Sequence, residues 1–301
     1  MTYTDVRSIL PDLIVSTDWL AKHLETDQLR VVDIRGYVRS TDLGNGRQAA
    51  EYVGARDEYD AGHIPGAVYV DWTEDIVDPD AQVKAQIAPP TLFKQAMEER
   101  GIGDGADVVI VDHTGGHFAT RLWWALRYYG HDRAAVLDGG FNKWQAEGRP
   151  ITQETSERAP ATFTPRVRPE LRVEPEEILA ASSATTHVVD ARDAPTYRGE
   201  VYRGSRAGHI PGAVNIPAKS FVNDDGTWKS LDEQRRILTD GGVERGERVV
   251  AYCNGGVTAT AVLFALHRTG HKAYANYDGS WNEWGERADL PVETGEPVGK
   301  G

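Results

Sequence analysis

The sequence predicts an α/β protein made of two homologous domains, each a mostly parallel sheet flanked by helices. The octapeptide from Ala61 to Val68 returns letter for letter from Ala207 to Val214. Three further pairs of segments repeat in the same order: 29–35 with 187–192, 108–112 with 249–253, and 137–144 with 277–284. Short apolar runs typical of buried strands alternate with helical patterns, which indicates parallel strands covered by helices. The period far exceeds the ~20–50 residues of stacked repeats, so we expect two domains and no solenoid.

The elements follow from local patterns in chain order. In the first half we predict helices at 17–24, 92–100, 120–129 and 141–147, and strands at 31–34, 68–70, 108–111 and 135–137. The second half repeats this series, and the capping-box pattern from Ser230 to Glu233 opens one of its helices. The region 149–172 is rich in Pro, Thr, Glu and Arg and lacks periodicity. We therefore predict domains at 1–150 and 170–301, joined by a linker at 151–169.

Composition narrows the classes of function. The chain has 301 residues, 40% hydrophobic and 26% charged, and a net charge of −13, which disfavours nonspecific nucleic-acid binding. No apolar run approaches the ~18 residues that span a bilayer, and the first eleven residues lack the apolar core of a secretory signal. We expect a cytoplasmic protein without membrane partners. The single cysteine excludes an intrachain disulfide, and no residue pattern calls for a metal or an organic cofactor.

That single cysteine, Cys253, lies where a predicted strand ends and a predicted helix begins. The residues that follow it permit a tight turn: Asn254, Gly255 and Gly256. Free backbone N–H groups and the positive end of the helix dipole would then face the sulfur and favour its thiolate. A buried structural cysteine is the alternative, but it has no need of two glycines directly after it. We predict that Cys253 is a nucleophile.

Taken together, the motifs resemble the tandem-domain rhodanese family of thiosulfate and 3-mercaptopyruvate sulfurtransferases over nearly the whole chain. The motifs are His-Ile-Pro-Gly-Ala and Asp-x-Arg in both halves, Cys-x-x-Gly-Val-Thr-Ala at 253–259, and Tyr-Asp-Gly-Ser-Trp-x-Glu-Trp at 277–284. The resemblance implies two rhodanese-like domains, of which only the second is catalytic. Asp112 occupies the place of Cys253 in the first domain. The resemblance also implies a site in the cleft between the domains.

The family's reaction implies a ping-pong cycle through a persulfide on Cys253. A small-molecule donor such as thiosulfate supplies the sulfur, and a thiophilic acceptor such as cyanide, a thiol or a protein cysteine removes it. The backbone N–H groups of the loop would bind the anionic persulfide, as backbone N–H groups do in other anion-binding loops. The loop residues are Asn254, Gly255, Gly256, Val257 and Thr258.

The donor is less well specified than the nucleophile. Residues 254 and 255 carry neither the basic side chains of thiosulfate-type loops nor the serine of mercaptopyruvate-type loops, and the family's donor-binding arginine falls at Thr196. The substrate-binding candidates are Arg198, Arg203, Arg206 and, from the first domain, His63, for which packing is the favoured alternative. We predict thiosulfate as the donor, because it needs fewer oriented hydrogen bonds than 3-mercaptopyruvate, which is the alternative.

Two other functions share the fold. A rhodanese-fold phosphatase needs an arginine some six residues after the cysteine to bind a tetrahedral dianion, and Ala259 stands there. A noncatalytic persulfide carrier would use the same cysteine. The strand-end residues Asp33 and Arg35 of the first half recur as Asp190 and Arg192 in the second half. Because the pair is present in both halves, we expect each pair to form an internal salt bridge.

Overall fold

The computed structural model describes residues 7–156, 158–181, 186–244 and 246–296. The first domain centres on a five-stranded parallel sheet in the order β1-β7-β6-β2-β5. Its strands are β1 (Ile14–Val15), β2 (Leu29–Asp33), β3 (Gly36–Gly44), β4 (Arg47–Gly54), β5 (Val68–Tyr69), β6 (Asp107–Val111) and β7 (Ala134–Leu137). Its helices are α1 (Thr17–His23), α2 (Arg56–Ala61), α3 (Pro90–Glu99), α4 (His117–Tyr128) and α5 (Gly140–Ala146).

The second domain has the same sheet topology, in the order β8-β13-β12-β9-β11. Its strands are β8 (Arg172–Val173), β9 (Thr186–Asp190), β10 (Tyr202–Arg203), β11 (Val214–Asn215), β12 (Arg248–Tyr252) and β13 (Tyr274–Tyr277). Its helices are α6 (Pro175–Ala180), α7 (Ala194–Arg198), α8 (Leu231–Asp240), α9 (Ala259–Arg268) and α10 (Ser280–Trp284), with 3-10 turns at Pro169–Leu171 and Ala218–Phe221. The predicted fold class, two homologous α/β domains with parallel sheets, is confirmed. The capping box at Ser230 is present as predicted.

A hairpin that the sequence did not predict joins the two domains. Strands β3 and β4 pair antiparallel, and β4 also pairs in parallel with β10 of the second domain through Arg47 opposite Tyr202 and Gln48 opposite Arg203. Most residues of β3 are exposed, so its sequence carries no apolar stripe by which to recognise a strand. The hairpin therefore lies over the boundary between the domains.

Helices α4 and α9 meet at the centre of the molecule, where the hydroxyls of Thr120 and Thr260 lie 2.9 Å apart. One apolar core includes residues of both domains, among them Trp123, which packs edge-on against Phe264 at 4.9 Å. The segment predicted as the linker contributes Phe163 to this core, with a side chain 1% exposed. The two domains thus bury their facing helices in a shared interior. No helix among the described residues is long and apolar enough to cross a bilayer.

Candidate active site

Cys253 lies directly after β12, at the carboxyl end of the second parallel sheet, where α/β proteins form their sites. Its side chain is 4% exposed and faces a cavity of about 510 Å³. Its backbone N–H donates to Ser280 Oγ at 3.1 Å, and its carbonyl accepts from the N–H of Trp281 at 3.1 Å. The start of α10 therefore fixes the backbone of Cys253 from both sides.

The loop after Cys253 needs its glycines for steric reasons. Gly256 has φ +70°, in the left-handed region, and an added Cβ would lie 2.6 Å from the carbonyl oxygen of Asp278. A Cβ on Gly255 would lie 3.0 Å from both Tyr52 Oη and Asn282 Nδ2. The loop is thus packed against residues of both domains. Four of the five predicted loop residues line the cavity: Asn254, Gly255, Val257 and Thr258.

The corresponding loop of the first domain shows how such a loop binds an anion. The buried carboxylate of Asp112 accepts hydrogen bonds from four backbone N–H groups at 2.9–3.1 Å, those of Thr114, Gly116, Phe118 and Ala119. Asp112 is 2% exposed, and an added Cβ on Gly116 would lie 2.8 Å from the ring of Trp228 in the second domain. The first-domain loop therefore holds its own aspartate and is covered by the other domain.

The loop of the second domain presents similar N–H groups without an internal anion. Within the described residues, the N–H groups of 255–259 have no hydrogen-bond acceptor. Cys253 has no carboxylate to occupy them, and they belong to the loop that directly follows a cysteine facing an open cavity. The Thr258 hydroxyl makes no capping hydrogen bond at the start of α9, although Thr258 stands at the N-cap position. Such a loop is suited to bind a negatively charged sulfur or oxyanion.

Besides Arg192, which pairs with Asp190, two cationic side chains line the cavity. Arg203, on β10, donates to Ser40 Oγ at 2.6 Å and is thereby held by the hairpin. Lys219 extends from the 3-10 turn that follows β11 and is exposed. Thr196, where the family carries its donor-binding arginine, also lines the cavity. The cavity therefore combines the Cys253 sulfur with these two positive charges, which suit an anionic substrate.

The other predicted substrate-binding residues do not line this cavity. Arg198 pairs with Glu200 at 2.6 Å on the surface. The guanidinium of Arg206 donates to four backbone carbonyls at the end of α10 and just beyond it, including that of Leu290 at 2.7 Å. His63 is 1% exposed and stacks on Tyr59 at 3.9 Å. Its Nδ1 is 2.7 Å from the carbonyl of Tyr59. The structure thus gives Arg206 and His63 packing roles and leaves Arg198 on the outer surface.

The Asp–Arg pairs at the strand ends of the two repeats form internal salt bridges, as expected. Arg35 contacts Asp33 at 2.9 Å, and Arg192 donates to both carboxylate oxygens of Asp190. Arg192 also lies over the ring of Trp281 at 4.6 Å and lines the cavity. Asp190 therefore offsets most of the positive charge that Arg192 would present to a ligand in the cavity.

Among the residues of the cavity wall that sequence reasoning missed are Lys219, Tyr52 and His117. Lys219 carried a usable signal, since it follows a predicted strand at the same sheet edge as Cys253. Tyr52 comes from the unpredicted hairpin. His117 begins α4 of the first domain and lines the cavity. Burial lowers the pKa of His117 by more than the charge of Asp112 raises it, so the imidazole is neutral at neutral pH.

A buried arginine of the first domain supports the cysteine loop. Arg121, on α4, donates to Asp278 Oδ1 at 2.5 Å, to the carbonyl of Gly256 at 3.2 Å and to the carbonyl of Ala85 at 2.8 Å. Arg121 and Asp278 are 1% and 0% exposed. The repeat pairs place Ala261 or Val262 opposite Arg121 in α9, so the second domain has no matching arginine that could support the first-domain loop. The first domain, though it lacks a cysteine, thus helps to hold the cysteine loop in place.

The fold and this site define a tandem-domain sulfurtransferase with one cysteine-bearing loop. A family model described as "Rhodanese-like domain" matches residues 16–147 and 174–287, and the chain belongs to this family. It is 35% identical to the thiosulfate sulfurtransferase of Rattus norvegicus, covering 98% of both chains. It is 33% identical to the sulfur carrier protein TtuD of Thermus thermophilus, over 95% of this chain and 98% of that protein.

Among solved structures, the chain is similar to SseA of Escherichia coli, described as one of the 3-mercaptopyruvate sulfotransferases. The TM-score is 0.79 at 31% identity, covering 89% of this chain and 98% of that one. The resemblance to tandem rhodanese-like sulfurtransferases is thereby confirmed. These relatives carry different donors or roles in their names, at comparable identities.

Proposed function

We propose that this chain transfers the sulfane sulfur of thiosulfate to a thiophilic acceptor through a persulfide on Cys253. The observation that carries this proposal is the group of N–H donors in the loop after the cysteine that have no acceptor among the described residues. The first-domain loop binds a carboxylate with the same kind of donors, which supports an anionic sulfur as the occupant in the second domain.

In the first half-reaction, the Cys253 thiolate attacks the sulfane sulfur of thiosulfate. A bond forms between the two sulfurs, the S–S bond of thiosulfate breaks, and its electron pair leaves with sulfite. In the second half-reaction, cyanide or a thiolate attacks the outer sulfur, and the electron pair of the persulfide bond returns to Cys253. No redox partner is required, since one sulfur atom moves between nucleophiles.

Arg203 and Lys219 are the donor-binding residues in this proposal. Both line the cavity that Cys253 faces, and thiosulfate is a dianion whose sulfonate end needs a positive environment. Arg203 is additionally fixed by Ser40, so its charge is oriented. Arg192 contributes less, because Asp190 already neutralises it. This assignment replaces Arg198, Arg206 and His63 as donor-binding candidates.

Two alternatives are supported by relatives. The similarity to SseA supports 3-mercaptopyruvate as a second donor candidate, whose carboxylate would use the same two cations. The similarity to TtuD supports a role as a sulfur carrier, in which the outer sulfur passes to a protein cysteine. In each case the persulfide on Cys253 is the shared intermediate.

Steady-state kinetics with both donors and cyanide as common acceptor test the proposal. We expect a higher kcat/KM for thiosulfate than for 3-mercaptopyruvate. Arg203→Met and Lys219→Met should each raise the thiosulfate KM about tenfold, because each removes a charged contact. Arg198→Met is the matched control and should leave KM unchanged.

Three outcomes would contradict the proposal in different ways. A tenfold higher kcat/KM for 3-mercaptopyruvate than for thiosulfate would identify 3-mercaptopyruvate as the preferred donor. Equal KM values in the two variants and the control would remove Arg203 and Lys219 from the donor site. Persulfide formation without turnover on cyanide or small thiols would favour the carrier role.

A further inference from the structure

The hairpin β3–β4 is where the two repeats differ most in length. Thirty positions separate Asp33 from His63, whereas nineteen separate Asp190 from His209. The additional residues of the first domain lie in the hairpin, which pairs with β10 and contributes to the cavity wall. Its wall residues are Val38, Ser40, Gln48 and Tyr52. The inactive domain thus extends an element of its own to the cysteine.

Tyr52 brings a hydroxyl to the edge of the cysteine loop. Its Oη accepts a hydrogen bond from Asn282 Nδ2 at 3.1 Å, and an added Cβ on Gly255 would lie 3.0 Å from the same oxygen. Its ring packs against buried Trp72 at 5.2 Å. The position of the hydroxyl is therefore fixed from two sides, by an amide of α10 and by the ring beneath it.

The phenolic proton of Tyr52 has no acceptor within the part of the chain that the structure describes. Because Asn282 already donates to the oxygen, the proton must point away from that amide. Burial raises the pKa of Tyr52, and the nearby Cys253 thiolate adds to the rise, so the hydroxyl stays protonated. Tyr52 is thus a neutral donor beside a site where a sulfur anion forms.

No hydrogen bond joins Tyr52 Oη to the sulfur of Cys253 itself. A persulfide extends the side chain by one S–S bond of about 2.05 Å. The outer sulfur carries the negative charge that the sulfane sulfur brought from thiosulfate.

Resting on the proposed Cys253 persulfide, we infer that Tyr52 is a further catalytic residue, which donates a hydrogen bond to the outer sulfur. This contact stabilises the persulfide anion relative to the free thiolate. It also withdraws charge from the outer sulfur when a nucleophile attacks it.

The test is the equilibrium constant of the first half-reaction, measured by intact mass at fixed ratios of sulfite to thiosulfate. Tyr52→Phe keeps the ring and removes only the hydroxyl. Loss of one hydrogen bond to a charged group should lower the persulfide equilibrium constant about ten- to a hundredfold. Tyr37→Phe is the control, because Tyr37 lies on the same hairpin and its hydroxyl donates to Glu58 at 2.6 Å.

A double-mutant cycle adds a second readout. Asn282→Ala removes the amide that positions the Tyr52 oxygen. It should lower the persulfide equilibrium constant when Tyr52 is present and have little further effect in a chain that already carries Tyr52→Phe. An unchanged constant in Tyr52→Phe, with a wild type that gains sulfur, overturns the role of Tyr52 alone. If the wild-type chain gains no sulfur from thiosulfate or 3-mercaptopyruvate, the Cys253 persulfide fails, and the role of Tyr52 fails with it.

Discussion

Replacing Arg121 by methionine should destabilise the protein strongly and slow sulfur transfer. The substitution keeps much of the side-chain volume but removes the guanidinium that joins α4 to Asp278 and to the carbonyl of Gly256. Asp278 would keep the N–H of Ile87 at 2.8 Å and a distant Arg172 at 4.0 Å. Its carboxylate would therefore stay buried with most of its compensation lost.

Removing one partner of a fully buried ion pair costs about 3–5 kcal/mol. We expect the upper half of this range, since the loss of Arg121 also leaves the buried carbonyl of Ala85 without a donor among the described residues, although the carbonyl of Gly256 keeps Asn276 Nδ2 at 2.9 Å. Denaturant unfolding measures the free energy, with an unchanged m-value as the check that the transition is the same. Adding Asp278→Asn should recover part of the loss, because the buried charge is then absent.

Two results would refute this account of Arg121. One is a loss below about 1 kcal/mol, which is the size expected for an exposed pair. The other is a double variant as unstable as the sum of its single variants, which would mean that Arg121 and Asp278 do not interact. Arg198→Met, at an exposed arginine paired with Glu200, is the control and should leave stability unchanged.

Two more predictions concern the first domain and acid stability. The double variant Asp112→Cys with Cys253→Ser should gain no sulfur from thiosulfate by intact mass, because residue 112 is buried and Trp228 packs against Gly116 of the loop that follows it; any sulfur on residue 112 would contradict this. Burial and nearby cations lower the pKa of His267 to about 4, below the ordinary ~6.5. As the pH falls, His267 is therefore protonated in the unfolded chain before it is protonated in the folded protein. Stability contributed by neutral His267 is complete above pH ~6.5 and falls by about 2 kcal/mol as the pH drops towards 4. Unfolding titrations from pH 7 to 4.5 should show a smaller loss for His267→Gln than for the wild type; equal losses would exclude His267 as the cause.

The sequence was sufficient for the main strands of the two parallel sheets and for the place of Cys253 at the end of one of them. Repeated apolar runs predicted the paired strands around Val31 and Val109 and their copies, because buried parallel strands are apolar on both faces. Cys253 could be found because a strand end, two glycines and a helix start are all local patterns. The salt bridges of the Asp-x-Arg segments followed from their presence in both repeats.

The donor-binding side chains could not be resolved in the same way. Arg198, Arg203 and Arg206 lie within nine residues, yet the fold sends them to three environments: a surface pair, the cavity wall and the end of α10. What separates them is the pairing of β10 with the hairpin, which is a contact between distant segments. Tyr52 escaped notice for the same reason, since its significance depends on Asn282, 230 positions away.

The most direct test of the central claim is the intact mass of the protein after incubation with thiosulfate. We predict that the wild-type chain gains the mass of one sulfur atom and loses it on addition of cyanide, with thiocyanate formed in equal amount. Cys253→Ser should gain nothing while keeping its fold, since the hydroxyl is far less nucleophilic than the thiolate. Sulfur gained by Cys253→Ser, or none gained by the wild type with thiosulfate or 3-mercaptopyruvate, would contradict a persulfide on Cys253.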